Sequence, residues 1–313
     1  MGVLRLGHVK VRVLDLEAAV NHYVNVLGLL EQHRDADGTI YLKGWDEWDK
    51  YSVVLTQADQ AGMDHLAFKV LSDSELDELQ PRIAASGQEV ELVPAGTVPF
   101  CGRALKVTLP SQHTMYLYAE KDVVGKAVGT DNPEPWPDGL KGVGVHWLDH
   151  VMLICEVDPG KGINRVADNV RFFREVLGFG LSEQIVPPEG GDILAAWMFC
   201  TTTPHDIAFG PGDRCGMHHT SFFLDDWSDI LRAADILAKK KVTVEVTPQR
   251  HGITRGPTTY FFDPSGNRNE CFAGLGYLTQ MDMPVVTWTA DNIWRGIFYH
   301  SGSASGPFLE VHT

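Results

Sequence analysis

Hydrophobic and polar positions along the chain form a pattern that is written twice. Near the start, LGHVKVRV alternates as a strand does and leads into a helical stretch ending HYVNVLGL; in the second half, LDHVMLICEV leads into one ending FFREVLGF. Each reads as strand, helix and a glycine stop. GMDHLAFKV at 62–70 likewise parallels GMHHTSFFL at 216–224, each a strand ahead of an acidic helix start, SDSELDELQPRIAAS and DDWSDILRAADILAKKK. LKVTLPSQHTMYLYAE and TTYFFDPSGNRNECFA complete the match, each a strand, a turn containing Pro-Ser and a returning strand.

The repeat predicts four modules of one strand, one helix and about three further strands, hence an α+β fold of two domains, each of two paired βαβββ modules. The Pro- and Gly-rich stretch DNPEPWPDGLKGVGV sets a linker at 131–145 between an N-terminal domain, 1–130, and a C-terminal domain, 146–280, with a tail over 281–313. A chain of 313 residues is long enough for two such domains to bury their own cores.

Charge narrows the partners. Lys and Arg number 26 against 41 Asp and Glu, a formal charge of −15 that repels nucleic acid phosphates and anionic membranes, so neither is an expected partner. Five cysteines without a C-x-x-C argue against a disulfide framework and a thiolate zinc site. Arg5, Lys10, Arg12 and Asp15 fall where a secretory signal needs an apolar run, and no run approaches a membrane span, so the expected location is the cytoplasm.

The repeat also aligns chemistry. Three positions recur: His8, His65 and Tyr116 in the first half, His150, His219 and Glu270 in the second, with 51 residues from His65 to Tyr116 and 51 from His219 to Glu270. The first interval differs, 57 residues against 69, and the surplus lies around DPGKGINR and ahead of GMHH. Two imidazoles and a carboxylate from three strands form the facial ligand set of a non-haem iron(II), which leaves adjacent positions open. Tyr116 is a poor ligand for that ion at neutral pH because an ordinary phenol titrates near pH 10. One metal per chain is therefore expected, in the C-terminal domain, with the N-terminal domain a metal-free copy. A lone strand histidine is more often a satisfied core residue than a ligand; the shared register with Glu270 is what singles these out. Successive strand residues face opposite sides of a sheet, so only one of His218 and His219 is expected to point at the metal, and the register selects His219, the counterpart of His65.

With these residues in place, the chain resembles the type I extradiol dioxygenases of the vicinal oxygen chelate superfamily, most specifically in LDHVMLI, HDIAFG, GMHHTSFFL, TPQRHGITRGPTTYFFDPSGNRNECF and VTWTADN. The resemblance spans essentially the whole chain. It implies a vicinal oxygen chelate (glyoxalase-like) fold, one Fe(II) on His150, His219 and Glu270, and a homotetramer. It also implies cleavage of catechol or alkyl-substituted catechols by dioxygen, giving 2-hydroxymuconic semialdehyde-type products. Under it, His205 in TPHDIAFG is the acid/base histidine near dioxygen, and His251 and Tyr260 hydrogen-bond a catecholate oxygen. His22, His33, His113, His146 and His300 have no such warrant and read as structural or surface residues. Two rivals remain open at this point: another reaction on the same scaffold, and a protein that sequesters a small aromatic compound with the cage vestigial in both halves.

Overall fold

A computed structural model of the protein describes residues 2–187, 190–302, 304 and 306–313. Its strands form two sheets. The first holds β1 (Val3–Val13), β2 (Leu30–Arg34), β3 (Ile40–Lys43), β4 (Val53–Gln57), β5 (Gly62–Val70), β6 (Val90–Val93), β7 (Ala104–Thr108) and β8 (Thr114–Tyr118). The second holds β9 (Leu148–Asp158), β10 (Ile163–Asn164), β11 (Gly180–Ile185), β12 (Ala195–Phe199), β13 (Ile207–Gly212), β14 (Gly216–Leu224), β15 (Val244–Arg250), β16 (Pro257–Phe262), β17 (Arg268–Ala273) and β18 (Val286–Trp288). Strand order is β2-β3-β4-β1-β5-β8-β7-β6 in the first and β15-β16-β17-β14-β9-β13-β12-β11-β18 in the second, with β10 beside β9.

That order is four βαβββ units. In each, the first strand runs parallel to the last of its own unit (β1 with β4, β5 with β8, β9 with β13, β14 with β17), and the two first strands pair antiparallel at the sheet centre. The crossover helices begin where the sequence supplies a cap. Asp15 accepts from the Ala18 amide at the start of α1 (Leu16–Val20), which runs on as a π-helix over Asn21–Leu27. After α2 (Asp73–Ala85), Asn164 caps α3 (Arg165–Glu175), and Asp226 with Asp229 forms a reciprocal cap on α4 (Trp227–Lys239). Gly28 ends the first crossover at φ 92°, where a Cβ would also lie 2.3 Å from the Lys141 carbonyl oxygen.

The halves share one continuous core. Phe68 of β5 packs edge-on against Phe179 at 5.3 Å, and Tyr23 donates to Asp263 of the other half at 3.2 Å. Asn169 of α3 donates to Ser111 Oγ at 2.8 Å, and His113 bonds the Gly216 carbonyl at 3.0 Å, so His22, His113 and Asn169 all serve the seam between halves. Among the described residues all five cysteines are free, and no helix is long and apolar enough to cross a membrane. The tail adds β18 parallel to β11 at the sheet edge, then turns back as α5 (Gly306–Glu310) across β14, where Thr313 exchanges backbone hydrogen bonds with Met217.

Candidate metal centre and active site

Six neighbouring strands of the second sheet, β16-β17-β14-β9-β13-β12, bring the sequence-predicted residues to one side. Tyr260 stands on β16, Glu270 on β17, His219 on β14 and His150 on β9, while His205 lies just ahead of β13. His251 follows β15 and bends back toward them. All six line one cavity of about 310 Å³, whose other walls are mostly apolar, among them Met152, Ile154, Trp197, Ile253 and Phe308.

His150, His219 and Glu270 are buried, and their ligand atoms meet: Nε2 of His150 to Nε2 of His219 is 3.3 Å, and Glu270 Oε2 is 2.9 Å from the first and 3.2 Å from the second. Oε2 makes no other hydrogen bond, so the three ligand atoms face a common point. Two ligands at right angles around one ion, each about 2.1 Å from it, stand about 3 Å apart, so the trio fits a metal ion that leaves other positions open. Burial by itself would raise the Glu270 carboxyl, but His150, His219 and His251 hold it well below the usual range. The two imidazoles differ. Burial lowers both, but Asp149 together with Glu270 overcomes it at His150, raised to about 9, while Glu270 alone does not at His219, lowered to about 4. His150 has two carboxylate neighbours and His219 only one.

The surrounding groups set orientation. Thr258 Oγ1 donates to Glu270 Oε1, leaving Oε2 free to face the histidines. His251 Nε2 lies 3.0 Å from the Tyr260 hydroxyl and 3.3 Å from Glu270 Oε1, and its Nδ1 bonds the Ile297 carbonyl of the tail. Burial, then Glu270, pushes the Tyr260 phenol well above its ordinary value, so it stays a donor. His205 packs on His150 with ring centres 3.8 Å apart, its Nδ1 buried without a partner, and burial followed by His150 keeps it neutral.

Sequence reasoning missed three groups. Asp149 Oδ2 accepts from His150 Nδ1 at 2.7 Å and so fixes which nitrogen faces the ligand set; its adjacency in LDH was the available signal. Glu183, 1 % exposed, accepts from the Thr254 amide at 2.6 Å, the Tyr277 hydroxyl at 2.7 Å and Trp288 Nε1 at 2.6 Å, pinning both the hairpin and the tail that roof the cavity. Nothing in its local sequence marks it.

The third, His218, overturns an expectation. The alternation rule predicts that it turns away from His219, yet both line the cavity, with their Nδ1 atoms 2.6 Å apart. The reason is a β-bulge: Met217 pairs with Leu153 and His219 with Met152, so His218 is an extra residue on its strand. A bulge puts consecutive side chains on the same face. Another bulge falls at Asp149, since Ser221 pairs with His150 and Phe222 with Leu148. Aromatic residues also reach the site: Trp197 and Phe308 line the cavity, and Phe298 stacks on His251 at 5.7 Å.

Comparison with known proteins agrees with this geometry. The model of the Glyoxalase/Bleomycin resistance protein/Dioxygenase superfamily matches residues 147–271, and that of the Catechol 2,3-dioxygenase-like N-terminal domain matches 63–122. The chain is 43% identical to a metapyrocatechase of Pseudomonas sp. (strain CF600), over 100% of this chain and 99% of that protein. It is 29% identical to a manganese-dependent 2,3-dihydroxybiphenyl 1,2-dioxygenase of Geobacillus genomosp. 3, covering 95% and 94%. The solved structure of the 2,3-dioxygenase LapB from Pseudomonas sp. KL28 superposes with a TM-score of 0.87 at 41% identity, covering 93% of this chain and 99% of that one.

Proposed function

The chain belongs to the extradiol ring-cleaving dioxygenases of the glyoxalase/dioxygenase superfamily and acts on catechols, and from that premise we propose the metal as iron(II), one per chain, held by His150, His219 and Glu270. Bound there, the ion supplies a Lewis-acid and redox centre where a diol and dioxygen can meet. The single observation that supports the reading is the convergence of Nε2, Nε2 and Oε2 within 3.3 Å at the floor of an apolar cavity.

The chain's own residues then have separate tasks. The apolar walls bury the ring and its alkyl substituents, worth roughly 25 cal/mol per Å² of surface removed from water. Tyr260, its hydroxyl 3.0 Å from His251 Nε2, donates to an anionic diol oxygen, and His251, whose Nδ1 proton is held by the Ile297 carbonyl, donates there through Nε2 in its doubly protonated form. His205, neutral and with Nδ1 unpartnered, takes a proton from the bound diol and returns it to the dioxygen-derived oxygen as the O–O bond breaks, both oxygen atoms ending in the product. Exclusion of water by the tail strengthens each of these contacts. A homotetramer working in the cytoplasm is the assembly we propose with it.

The test is direct. Protein loaded with iron(II) anaerobically, mixed with catechol and opened to air, should consume dioxygen and turn yellow as the semialdehyde forms. No colour and no uptake would favour a different reaction on this scaffold or a binding protein. Because one relative is named for manganese, the same assay on manganese-loaded protein decides the metal: equal turnover with both ions would remove the assignment to iron.

A further inference from the structure

We infer that His218 is a positioning residue with two ends: one fixes the ring of His219, and the other fastens the C-terminal segment over the cavity. The inference rests on reading His219 as a metal ligand.

His218 is 2 % exposed and sits on the bulge that turns it to the same face as His219. Its Nδ1 is 2.6 Å from His219 Nδ1; its Nε2 is 2.7 Å from the Phe308 carbonyl oxygen, and its ring meets the Phe308 ring at 4.8 Å. A carbonyl can only accept, so Nε2 of His218 carries a proton. In the neutral ring Nδ1 is then bare and accepts from His219 Nδ1–H. That leaves His219 Nε2 without a proton, the atom that faces His150 and Glu270. A carbonyl in the tail thus dictates, through two imidazoles in series, which lone pair the ligand presents.

The chain supplies its own comparison. Two sister bulges place the side chain of residue i−1 on Nδ1 of histidine i, Asp149 on His150 at 2.7 Å and Asp64 on His65 at 3.0 Å in the N-terminal half, while the one before His8 falls at Gly7, which has no side chain. Where both sister positions hold a carboxylate, the partner of His219 is an imidazole. A carboxylate takes a proton from the ring but has none to donate onward; an imidazole does both, and only it spans from β14 to residue 308. Arg268 anchors the same segment, donating to the Val311 carbonyl at 2.7 Å and to the His218 carbonyl at 3.2 Å. Metal retention and closure of the tail are therefore coupled through one side chain, and the coupling is reciprocal.

Two substitutions in the full-length holoenzyme separate the ends. Asparagine offers an oxygen where Nδ1 stands and nothing at Nε2; glutamine reaches toward residue 308 and offers nothing at Nδ1. Metal retention is measured by competition with a chelator, and closure by the rate of chymotryptic cleavage at Phe308. His218→Asn should hold metal within about threefold of the parent while cleavage quickens. His218→Gln should stay protected while metal affinity falls by about 10–100-fold, the usual loss when an outer partner of a ligand is removed. His218→Ala should lose both. An alanine variant with parental affinity and protection overturns the proposal, as does a pair of amide variants that shift both readouts by one common factor. Glu270→Ala distinguishes the failures: if it keeps the metal, the ligand assignment itself is wrong, whereas loss there with no change in the His218 variants removes only this role.

Discussion

In the N-terminal half, His8 and His65 face each other with Nε2 atoms 3.1 Å apart, much as His150 and His219 do at 3.3 Å in the C-terminal half. The strands carry the same register: Val9 pairs with Val53 as Val151 pairs with Ile207, and Ala67 with Tyr116 as Ser221 with Glu270. Tyr116 thus occupies the carboxylate position, Tyr51 that of His205 and Tyr118 that of Phe272. The bulges recur at Gly7 and Asp64. What differs is the partner behind the first histidine. Asp149 accepts the Nδ1 proton of His150, so Nε2 is the nitrogen left to a metal, but Gly7 has no side chain, and a Cβ there would lie 2.1 Å from the Tyr118 hydroxyl. Lys121 fills the role instead, its ammonium 3.0 Å from His8 Nδ1. An ammonium can only donate, so the His8 proton is forced onto Nε2, into the cage and toward His65. One cage offers lone pairs and two carboxylates to a dication; the other points a proton inward and keeps a cation beside it. An outer residue decides what the repeated pair of imidazoles can bind.

Glu270→Ala should break the contrast most severely. Metal should be lost, and kcat/KM should fall by about 10³-fold or more, as the several kcal/mol contributed by a Lewis-acid centre disappear. Tyr116→Phe, the matching change in the other half, should leave metal content at one ion per chain and the rate within about twofold. Metal analysis beside steady-state oxygen uptake reads both, and an effect of Tyr116→Phe comparable to that of Glu270→Ala would end the distinction between halves. Next in size is His205→Phe, which should retain metal but slow turnover by about 10²-fold or more, the usual contribution of a positioned acid/base. Tyr51→Phe, at the equivalent place, loses the hydroxyl bonds to the Pro99 carbonyl and Cys101 Sγ and should cost about 1 kcal/mol of stability without touching the rate.

The contrast can also be sharpened by trying to erase it. Tyr116→Glu alone supplies the third ligand but leaves Lys121 dictating the His8 tautomer, so metal content should stay at one ion per chain. Tyr116→Glu with Lys121→Met frees that nitrogen, and a second, weaker ion should bind, at least about 10-fold less tightly because no carboxylate stands behind His8. A single Tyr116→Glu variant that already binds two ions would show that the outer residue is not what decides.

Much of this was legible in the sequence because it lives in register. The intervals from His65 to Tyr116 and from His219 to Glu270 are equal at 51 residues, and β-strand pairing converts that register directly into position. The bulges were not legible: GMHHTSFFL is buried on both faces, so it carries no polar–apolar alternation whose break would reveal an extra residue, and His218 was expected on the face away from His219. Lys121 and Glu183 were invisible for another reason. Each acts on residues far along the chain, Lys121 on His8 and Glu183 on Thr254, Tyr277 and Trp288, and no local pattern encodes such a meeting.

The smallest effect isolates Lys121 itself. Burial first lowers its pKa, to about 8, from the 10.5 expected in an unfolded chain, with Cys101, Asp49 and Glu47 opposing the shift. Between those values the unfolded chain holds more protons than the folded one, so stability rises with pH. The contribution is complete only above about pH 10.5 and is lost as pH falls through 8. Lys121→Met removes the group and with it this slope. From pH 8 to 9.5 the parent should therefore gain about 1–2 kcal/mol relative to the methionine variant, read as the difference in urea unfolding free energy. Parallel pH profiles for the two proteins would mean that the ammonium is not buried against His8 and does not set the proton on that ring.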